Sequence, residues 1–322
     1  MLSKVTLANT DLSVSTLCYG TNMLGWLIDQ DRANAILDTF AGLGGNFIDT
    51  ARSYGDWSPD APKGASERAV GAWLKGKARG DFAIATKGGH FDMRAGDYRN
   101  RVNPGDIASD LDESLDHLGV DRIDLYWLHM DNPETPVGEL IDFLNQAHDA
   151  GKIRYFGASN WTDARVLEAN AYAKANGKAG FVAVEPFWGL GKPNEANAAQ
   201  QGYQLFFEDH GGKLKDAGLA IIPYCAQSRG YFGMLEQGED AVSEPLKAFY
   251  DHPVNKARFA AAKTIAERHG VSISEVVLAY LVNQPRQVIP IFGASSPARV
   301  EESVKAASLK LSPAELVELT VG

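Results

Sequence analysis

The stretch NFIDTARSYG, residues 46–55, decides how the chain is read. Asn46 to Asp49 is a short apolar run that stops on a carboxylate, and Tyr54 follows five residues later. Seven other runs of the same kind lie at 16–19, 82–86, 123–128, 155–158, 181–184, 219–223 and 288–291. Most are near-continuously apolar, as parallel strands covered on both faces must be. Between them the spacing becomes helical. Ala33, Ile36, Leu37 and Phe40 recur on one face, and so do Ile107, Leu111, Leu115 and Leu118. The second set follows Asn103-Pro104, a cap and first-turn proline, and ends before Gly119. Thr135-Pro136 opens another helix with Val137, Leu140, Ile141 and Leu144 turned inward, and Gly151 closes it. Ser296-Pro297 opens one more, and Ser312-Pro313-Ala314-Glu315 has capping-box spacing.

Strand alternating with helix means a parallel sheet in an α/β fold. Eight repeats favour a closed (β/α)8 TIM barrel over an open doubly wound sheet. Val5 to Val14 reads as an N-terminal β-hairpin that would plug the barrel floor. With no low-complexity linker or internal repeat, residues 1–322 are expected to form a single domain, since such barrels run to about 250 residues or more as one unit. The longest irregular stretches, 88–103, 188–200 and 228–252, follow strands three, six and seven. They would be extended loops on the C-terminal face, where substrate pockets are built.

Hydrophobic residues make up 45% of the 322, ample for a large core, and the formal net charge is -10. An acidic surface argues against nucleic acid or an anionic membrane as partner, without excluding a local basic pocket. Cys18 and Cys225 both sit in apolar runs and are expected as buried free thiols in a reducing, cytoplasmic setting. No signal-peptide pattern opens the chain, and no run approaches ~18 apolar residues, so no membrane span is expected. Gly42-Leu43-Gly44-Gly45 lacks the third glycine of a dinucleotide loop and precedes a strand, which makes it a helix stop. There is no HExxH, CxxC, Walker A or GxSxG pattern, and the histidines lack metal-ligand spacing, so no metal is expected. Nothing decides between monomer and homo-oligomer.

The strand ends carry the chemistry. They bear Asp49 (with Tyr54 beyond it), Lys87, His129, Ser159-Asn160, Glu185, Tyr224 and Phe292-Gly293. In a barrel these share one rim. A phenol ionises near pH ~10, too high for easy proton exchange at neutrality. An ammonium within hydrogen-bond reach stabilises the phenolate and should lower that value, and a carboxylate beside it holds the ammonium in place. The phenol could then protonate a developing alkoxide, and a nearby imidazole could orient the carbonyl oxygen. Singly, each residue has an ordinary reading: a helix cap, a solvated lysine, a loop tyrosine, a core histidine. Their joint placement outweighs those.

Taken together, NFIDTARSYG (46–55), ATKGG (85–89), DLYWLHM (124–130), GKIRYFGASN (151–160), AVEPFW (183–188), IIPYCAQ (221–227) and VIPIFGASSPARVEES (288–303) resemble the aldo-keto reductase family over essentially the whole chain. The resemblance implies reversible reduction of a small-molecule aldehyde or ketone, with Tyr54 as general acid/base, Asp49 and Lys87 tuning it, and His129 positioning the carbonyl. It places Gly20 and Thr21 along the cofactor, Ser159 and Asn160 on the nicotinamide carboxamide, Tyr224 under the ring, and Cys225, Gln227 and Arg229 near the pyrophosphate. Gly293, Ser295, Arg299 and Glu302 would hold the adenosine end, with Arg299 on a 2′-phosphate, so NADP(H) is favoured over NAD(H). Glu185 stands where glutamine is usual as a carboxamide partner, Ser303 where asparagine is common, and Gly293 where some members carry lysine. Trp188 replaces a common tyrosine. Trp26, Trp57, Phe91 and Trp127 would wall the substrate pocket, with sugar-like or small carbonyls slightly preferred. Two rival functions are a Schiff-base lyase using Lys87 and a non-catalytic subunit that senses the nicotinamide redox state.

Overall fold

Alternation along each strand sorts its side chains between two cores. The computed structural model describes residues 1–203, 205, 214 and 217–320. Strands β1 (Lys4–Thr6) and β2 (Ser13–Ser15) form an antiparallel hairpin. The next eight are β3 (Cys18–Gly20), β4 (Phe47–Asp49), β5 (Ala83–Gly88), β6 (Ile123–Leu128), β7 (Ile153–Ser159), β8 (Ala183–Glu185), β9 (Ala220–Ile221) and β10 (Ile291–Phe292). All are parallel, in the order β10-β3-β4-β5-β6-β7-β8-β9. The N–H of Ile221 donates to the Gln287 carbonyl (3.1 Å) and that of Ile289 to the Ile221 carbonyl (2.9 Å), which joins the two ends of the sheet. The chain is a (β/α)8 barrel with its helices outside.

The last strands are shorter than the runs 219–223 and 288–291 suggest. Pro223 and Pro290 lack an N–H and interrupt the ladder, leaving Ile221 and Val288 joined by an isolated bridge. In contrast, β5 and β7 run one residue or more beyond their apolar cores, so Lys87 and Ser159 lie on strands.

Inside the barrel, Cys18, Phe47, Ala83, Ala85, Leu125, Trp127, Ala183, Ala220 and Ile222 pack on one another and on Leu7, Leu12 and Val14 of the hairpin. The hairpin therefore floors the barrel with apolar side chains. Gly157 makes room for the largest of these residues, since a Cβ there would lie 2.3 Å from the Trp127 ring. Trp127 is fully buried. It fills the interior beneath the rim and is not the substrate-pocket wall expected of it. Outward-facing residues such as Ile48, Ile84 and Tyr126 meet Ile36, Leu37, Phe40, Ile107 and Leu111 of the helices in a second core.

The helix ends follow the sequence signals. Asn103 caps Pro104–Leu118 by accepting from Asp106 N (3.1 Å), and Gly119 ends that helix in the left-handed conformation at φ 63. The stretch 228–252 is not irregular. It folds into helices Tyr231–Gln237 and Glu244–Tyr250 that bury Tyr231, Phe232, Phe249 and Tyr250. Gly230 and Gly238, at φ 81 and φ 119, keep its pieces too short for a helical period to stand out. In the same way, 188–200 ends in helix Glu195–Gln200, capped by Asn194. Among the described residues no helix is long and apolar enough to cross a membrane.

Glu315 anchors the terminal helix Pro313–Thr320. It accepts from Ser312 N (2.9 Å), Ser312 Oγ (2.9 Å), His269 Nε2 (2.8 Å) and Arg268 Nη1 (3.0 Å). These donors, the Ser312 backbone first, pull its carboxyl down to about 2. A depressed native pKa stabilises the fold fully above the ordinary carboxylate range and stops doing so as pH falls toward the native value. Glu315→Gln should cost about 1–2 kcal/mol at pH 7, after allowance for solvent screening. The gap should narrow below about pH 4.5. Urea midpoints of both proteins at neutral and acidic pH test this, and a gap independent of pH would contradict it.

Candidate active site

Each inward row of the barrel continues one step above the apolar core. With a period of two, Phe47 is followed inward by Asp49, Ala85 by Lys87, Trp127 by His129, Gly157 by Ser159, Ala183 by Glu185 and Ile222 by Tyr224. Parallel register staggers these positions from strand to strand: Asp49 pairs with Ala85, one inward step below Lys87, and Lys87 with Trp127, one step below His129, whereas Ser159 pairs directly with Glu185.

Lys87 is the hub. Its Nζ donates to Asp49 Oδ2, to the Thr50 carbonyl (2.9 Å) and to the Tyr54 hydroxyl (3.1 Å). Glu185 Oε1 lies 3.3 Å away. The side chains of Lys87, Asp49 and Glu185 are 0%, 2% and 2% exposed. The ammonium also sits over the Tyr54 ring, 4.9 Å from its centroid. Burial alone would drive the ammonium to lose its proton, but Asp49, Glu185 and Tyr54 hold it well above the ordinary lysine value.

Tyr54 sits in the loop after β4, turned back by its N–H to the Ala51 carbonyl (3.1 Å). Its phenol is pushed up from the usual value, not down. Burial is the largest cause; Lys87 opposes it, and the carboxylates of Asp49 and Glu185 reinforce it. The expected lowering by lysine is present and is outweighed, because desolvation penalises the phenolate more than one shared ammonium can stabilise it. The phenol is thus a firmly protonated donor.

His129 meets the Tyr54 ring edge-on, with centroids 5.9 Å apart. Burial, reinforced by His90, Lys87 and Arg52, pushes it well below the usual histidine value. Its Nδ1 is buried without a hydrogen-bond partner. An orphaned donor costs more than an orphaned acceptor lone pair, so the neutral ring keeps its proton on Nε2.

On the other side, the Tyr224 hydroxyl donates to Asn160 Oδ1 (2.7 Å), and Asn160 Nδ2 donates to the His129 carbonyl and Ser159 Oγ (both 3.2 Å). Asn160 adopts φ 58, a left-handed conformation that asparagine tolerates. Ser159 Oγ donates to the Glu185 carbonyl (3.0 Å). Phe187 and Tyr203 both meet the half-buried Tyr224 ring edge-on.

The outer residues are more scattered. Thr21 is fully buried, its hydroxyl engaged by the Asp49 carbonyl (3.0 Å) and Ser66 Oγ (2.7 Å), which ties β3 to β4. Gly20 is needed for close strand approach, since a Cβ there would lie 2.7 Å from Ile291 Cγ2. Cys225, Ser228 and Arg229 all have positive φ. Cys225 is a half-buried free thiol, against the fully buried one expected, because the chain leaves the barrel there; Cys18 is buried. Arg229 turns its guanidinium over Phe249 (4.6 Å) and bonds the Tyr203 hydroxyl (3.1 Å). Gln227 bridges two segments, accepting from Gly293 N and donating to Ser303 Oγ (both 3.3 Å). Ser295 is half-buried and Arg299 is exposed on the first turn of helix Pro297–Ala306. Glu302 accepts from Ser272 Oγ (3.3 Å). Trp188 is buried.

Sequence reading did not single out Arg52, which ties the Tyr54 loop to its surroundings. Its side chain, 2% exposed, reaches Asp110 Oδ1 (3.0 Å), Asp56 Oδ2 (3.2 Å), Glu113 Oε2 (3.6 Å) and Asp92 Oδ2 (3.7 Å). Arg94 Nε donates to Asp56 (2.7 Å), Arg101 also binds Asp110, and Gly89 N donates to Asp110 Oδ2 (2.9 Å). His90 was missed as well, and its ring lies 4.7 Å from that of His129. An arginine among the polar residues of 50–56 was the only local sign of the ionic knot.

A groove of about 1160 Å³ opens at the opposite, N-terminal end of the strands. Several of its charges pair with one another: Asp124 binds Arg79 (2.6 Å) and Arg154 (3.1 Å), and Arg154 binds Asp11 (2.6 Å). Among the described residues, no cluster of histidine, cysteine and carboxylates could hold a metal ion.

A barrel whose C-terminal rim gathers a phenol, an ammonium, carboxyls and an imidazole defines a class of oxidoreductase. The sequence model of the Aldo/keto reductase family matches residues 16–320. The chain belongs to that family, whose enzymes use nicotinamide cofactors. It is 28% identical over 332 residues to an aryl-alcohol dehydrogenase of Pestalotiopsis microspora, covering 98% of this chain and 80% of the relative. It is also 30% identical over 303 residues to norsolorinic acid reductase B of Aspergillus parasiticus (88% and 74%) and 30% over 305 residues to an aldo-keto reductase of Aspergillus calidoustus (90% and 72%).

Proposed function

We propose that this protein reversibly reduces an aldehyde or ketone to the alcohol, with Tyr54 as general acid/base. One observation carries the reading: a buried ammonium, Lys87, bonds both the Asp49 carboxylate and the Tyr54 hydroxyl, with a neutral imidazole against the same phenol. In the reduction direction Tyr54 passes its proton to the oxygen of the substrate, where negative charge develops. Lys87 stabilises the phenolate left behind, and Asp49 keeps Lys87 charged and in place. His129, with its proton on Nε2, donates to the same substrate oxygen and orients it.

The rim suits a nicotinamide. Tyr224 is half-buried with its ring neighbours edge-on, so a flat ring can lie against it, and Asn160 is held beside it by the Tyr224 hydroxyl. Ser159 and Asn160 would hold the carboxamide, and the cofactor, when bound, supplies the hydride. Gln227, Gly293 and Ser295 border the path toward helix Pro297–Ala306, whose N-terminal N–H groups favour a phosphate. Arg299, exposed on that first turn, would reach a 2′-phosphate, which favours NADP(H) over NAD(H). Arg299→Ala should weaken NADPH binding about tenfold or more while leaving NADH binding within about twofold, a difference of one charge-assisted contact. Fluorescence titration with both cofactors measures this, and equal losses would contradict the 2′-phosphate assignment.

The walls favour a flat aromatic substrate over the small or sugar-like carbonyl first expected. Trp57 lies 6.1 Å from the Tyr54 ring and 5.4 Å from Trp26, and Phe91 lies 5.4 Å from Tyr98. One relative, the dehydrogenase of Pestalotiopsis microspora, is named for aryl alcohols, which points the same way. Assaying aromatic, aliphatic and sugar carbonyls by absorbance with NADPH and NADH tests both claims. Aromatic aldehydes or ketones should turn over best, and no turnover on any carbonyl would favour the nicotinamide-sensing subunit instead. A Schiff-base lyase needs a neutral amine, whereas Lys87 is held charged. We read the whole chain as one catalytic unit, and its two free thiols suit a reducing cytoplasm.

A further inference from the structure

The Lys87 ammonium has three N–H donors and four oxygen neighbours: Asp49 Oδ2, the Thr50 carbonyl, the Tyr54 hydroxyl and Glu185 Oε1. It is also one positive charge between two carboxyls, all three side chains at most 2% exposed. The second oxygen of each carboxyl, Asp49 Oδ1 and Glu185 Oε2, is buried with no hydrogen-bond partner. Were both carboxyls ionised, the rim would hold an uncompensated negative charge out of water, beside a phenol that must itself become an anion. Two carboxyls in one dry site do not both ionise readily. Burial raises both carboxyls, but Asp49 makes the closer contact with Lys87 and takes the one negative charge that the ammonium compensates.

We propose that Glu185 is a positioning residue that holds a proton: it stays a neutral acid while Tyr54 works, and its ionisation draws the third Lys87 N–H away from the phenol. This rests on the reductase reading above. With Glu185 neutral, the three Lys87 protons serve Asp49, Thr50 and Tyr54. Once Glu185 ionises, its charged oxygen is a stronger acceptor than a neutral phenol and claims one of them. Tyr54 then loses the donor that stabilises its phenolate, and proton exchange with substrate slows in both directions.

The groups around Glu185 agree with this. Asp49 faces it from β4, Lys87 from β5, Cys18 from β3, Tyr54 from the loop after β4 and Tyr224 from the end of β9; the imidazole at the end of β6, His129, is neutral. Lys87 is the only cation among them. Burial, with Asp49 second, raises the Glu185 carboxyl well above its ordinary value, and Lys87 only partly offsets this.

Infrared difference spectroscopy of the intact protein reads the proton without turnover. A protonated-carboxyl C=O band is expected at pH 7, shifted by 13C-glutamate labelling, lost on raising the pH and absent from Glu185→Gln. No such band at pH 7 would overturn the proposal, whatever the carbonyl panel gives. The kinetic arm compares pH profiles. Wild-type kcat/KM for reduction should fall about tenfold per pH unit beyond the Glu185 ionisation. In Glu185→Gln that alkaline fall should be missing or displaced upward by about one pH unit or more. An identical alkaline limb in both proteins would overturn the link to Tyr54. A carbonyl panel without turnover would sink the reductase reading and leave the infrared result standing on its own.

Discussion

Tyr54→Phe is expected to bind the nicotinamide cofactor like the wild type and to lose about 100- to 10,000-fold in kcat, the usual contribution of a positioned general acid. The variant removes one oxygen atom. Its ring can keep the packing against His129 and Trp57, and the residues assigned to the cofactor lie on other segments of the chain. What disappears is the protonated donor: burial holds the phenol above its ordinary value, so in the wild type it arrives at the reaction carrying its proton. Lys87 loses one acceptor but keeps Asp49 and Thr50. The His129 N–H remains, and polarisation by it alone accounts for any residual turnover. Steady-state kinetics with cofactor fluorescence titration separates the two quantities. Unchanged kcat would remove Tyr54 from its role, and parallel loss of cofactor affinity would recast it as a binding residue.

Arg52→Met should destabilise the fold by about 3–5 kcal/mol, the cost of removing one member of a buried ionic cluster. Methionine can fill much of the volume but leaves Asp110 and Asp56, side chains 1% and 0% exposed, short of positive charge. Burial already raises the Asp110 carboxyl above its ordinary value despite Arg52, the Gly89 N–H and Arg101. Without Arg52 it rises further. An acid whose native pKa is raised binds more protons folded than unfolded, so the stability it costs is relieved as pH falls. The deficit should therefore be largest at neutral pH and shrink on acidification toward the raised Asp110 value. Denaturant midpoints from pH 7 to pH 4.5 measure it. A deficit under about 1 kcal/mol would mean the knot is solvated like a surface pair. Since Arg52 joins the Tyr54 loop to 88–103, some loss of activity below the unfolding transition is expected too.

Much of this architecture was legible in the chain. Apolar runs at 46–49, 82–86 and 123–128 alternate with helical periods, and each run ends on or is followed directly by a charged or polar residue: Asp49, Lys87 and His129. A strand has a period of two and a parallel barrel puts all C-terminal ends on one rim, so Asp49, Lys87 and His129 could be assigned to one site without coordinates. Local chemistry marked the caps at Asn103, Ser296 and Ser312 just as plainly. The short helices within 228–252 were illegible, because seven residues between glycines are too few for a period to emerge. The burial of Trp127 was equally hidden, since it depends on Gly157, thirty residues away and one strand over.

By itself, then, the sequence determined the repeat, the rim residues and the family likeness, all of which rest on near-neighbour spacing. Only the tertiary structure decided the charges. That Tyr54 is raised and not lowered, that Lys87 is shared by two carboxyls, and that Arg52 draws in acids from two other segments all follow from burial and distance. Electrostatic energy depends on what surrounds a group in space and on how much water is left there, and neither quantity is written in residue order.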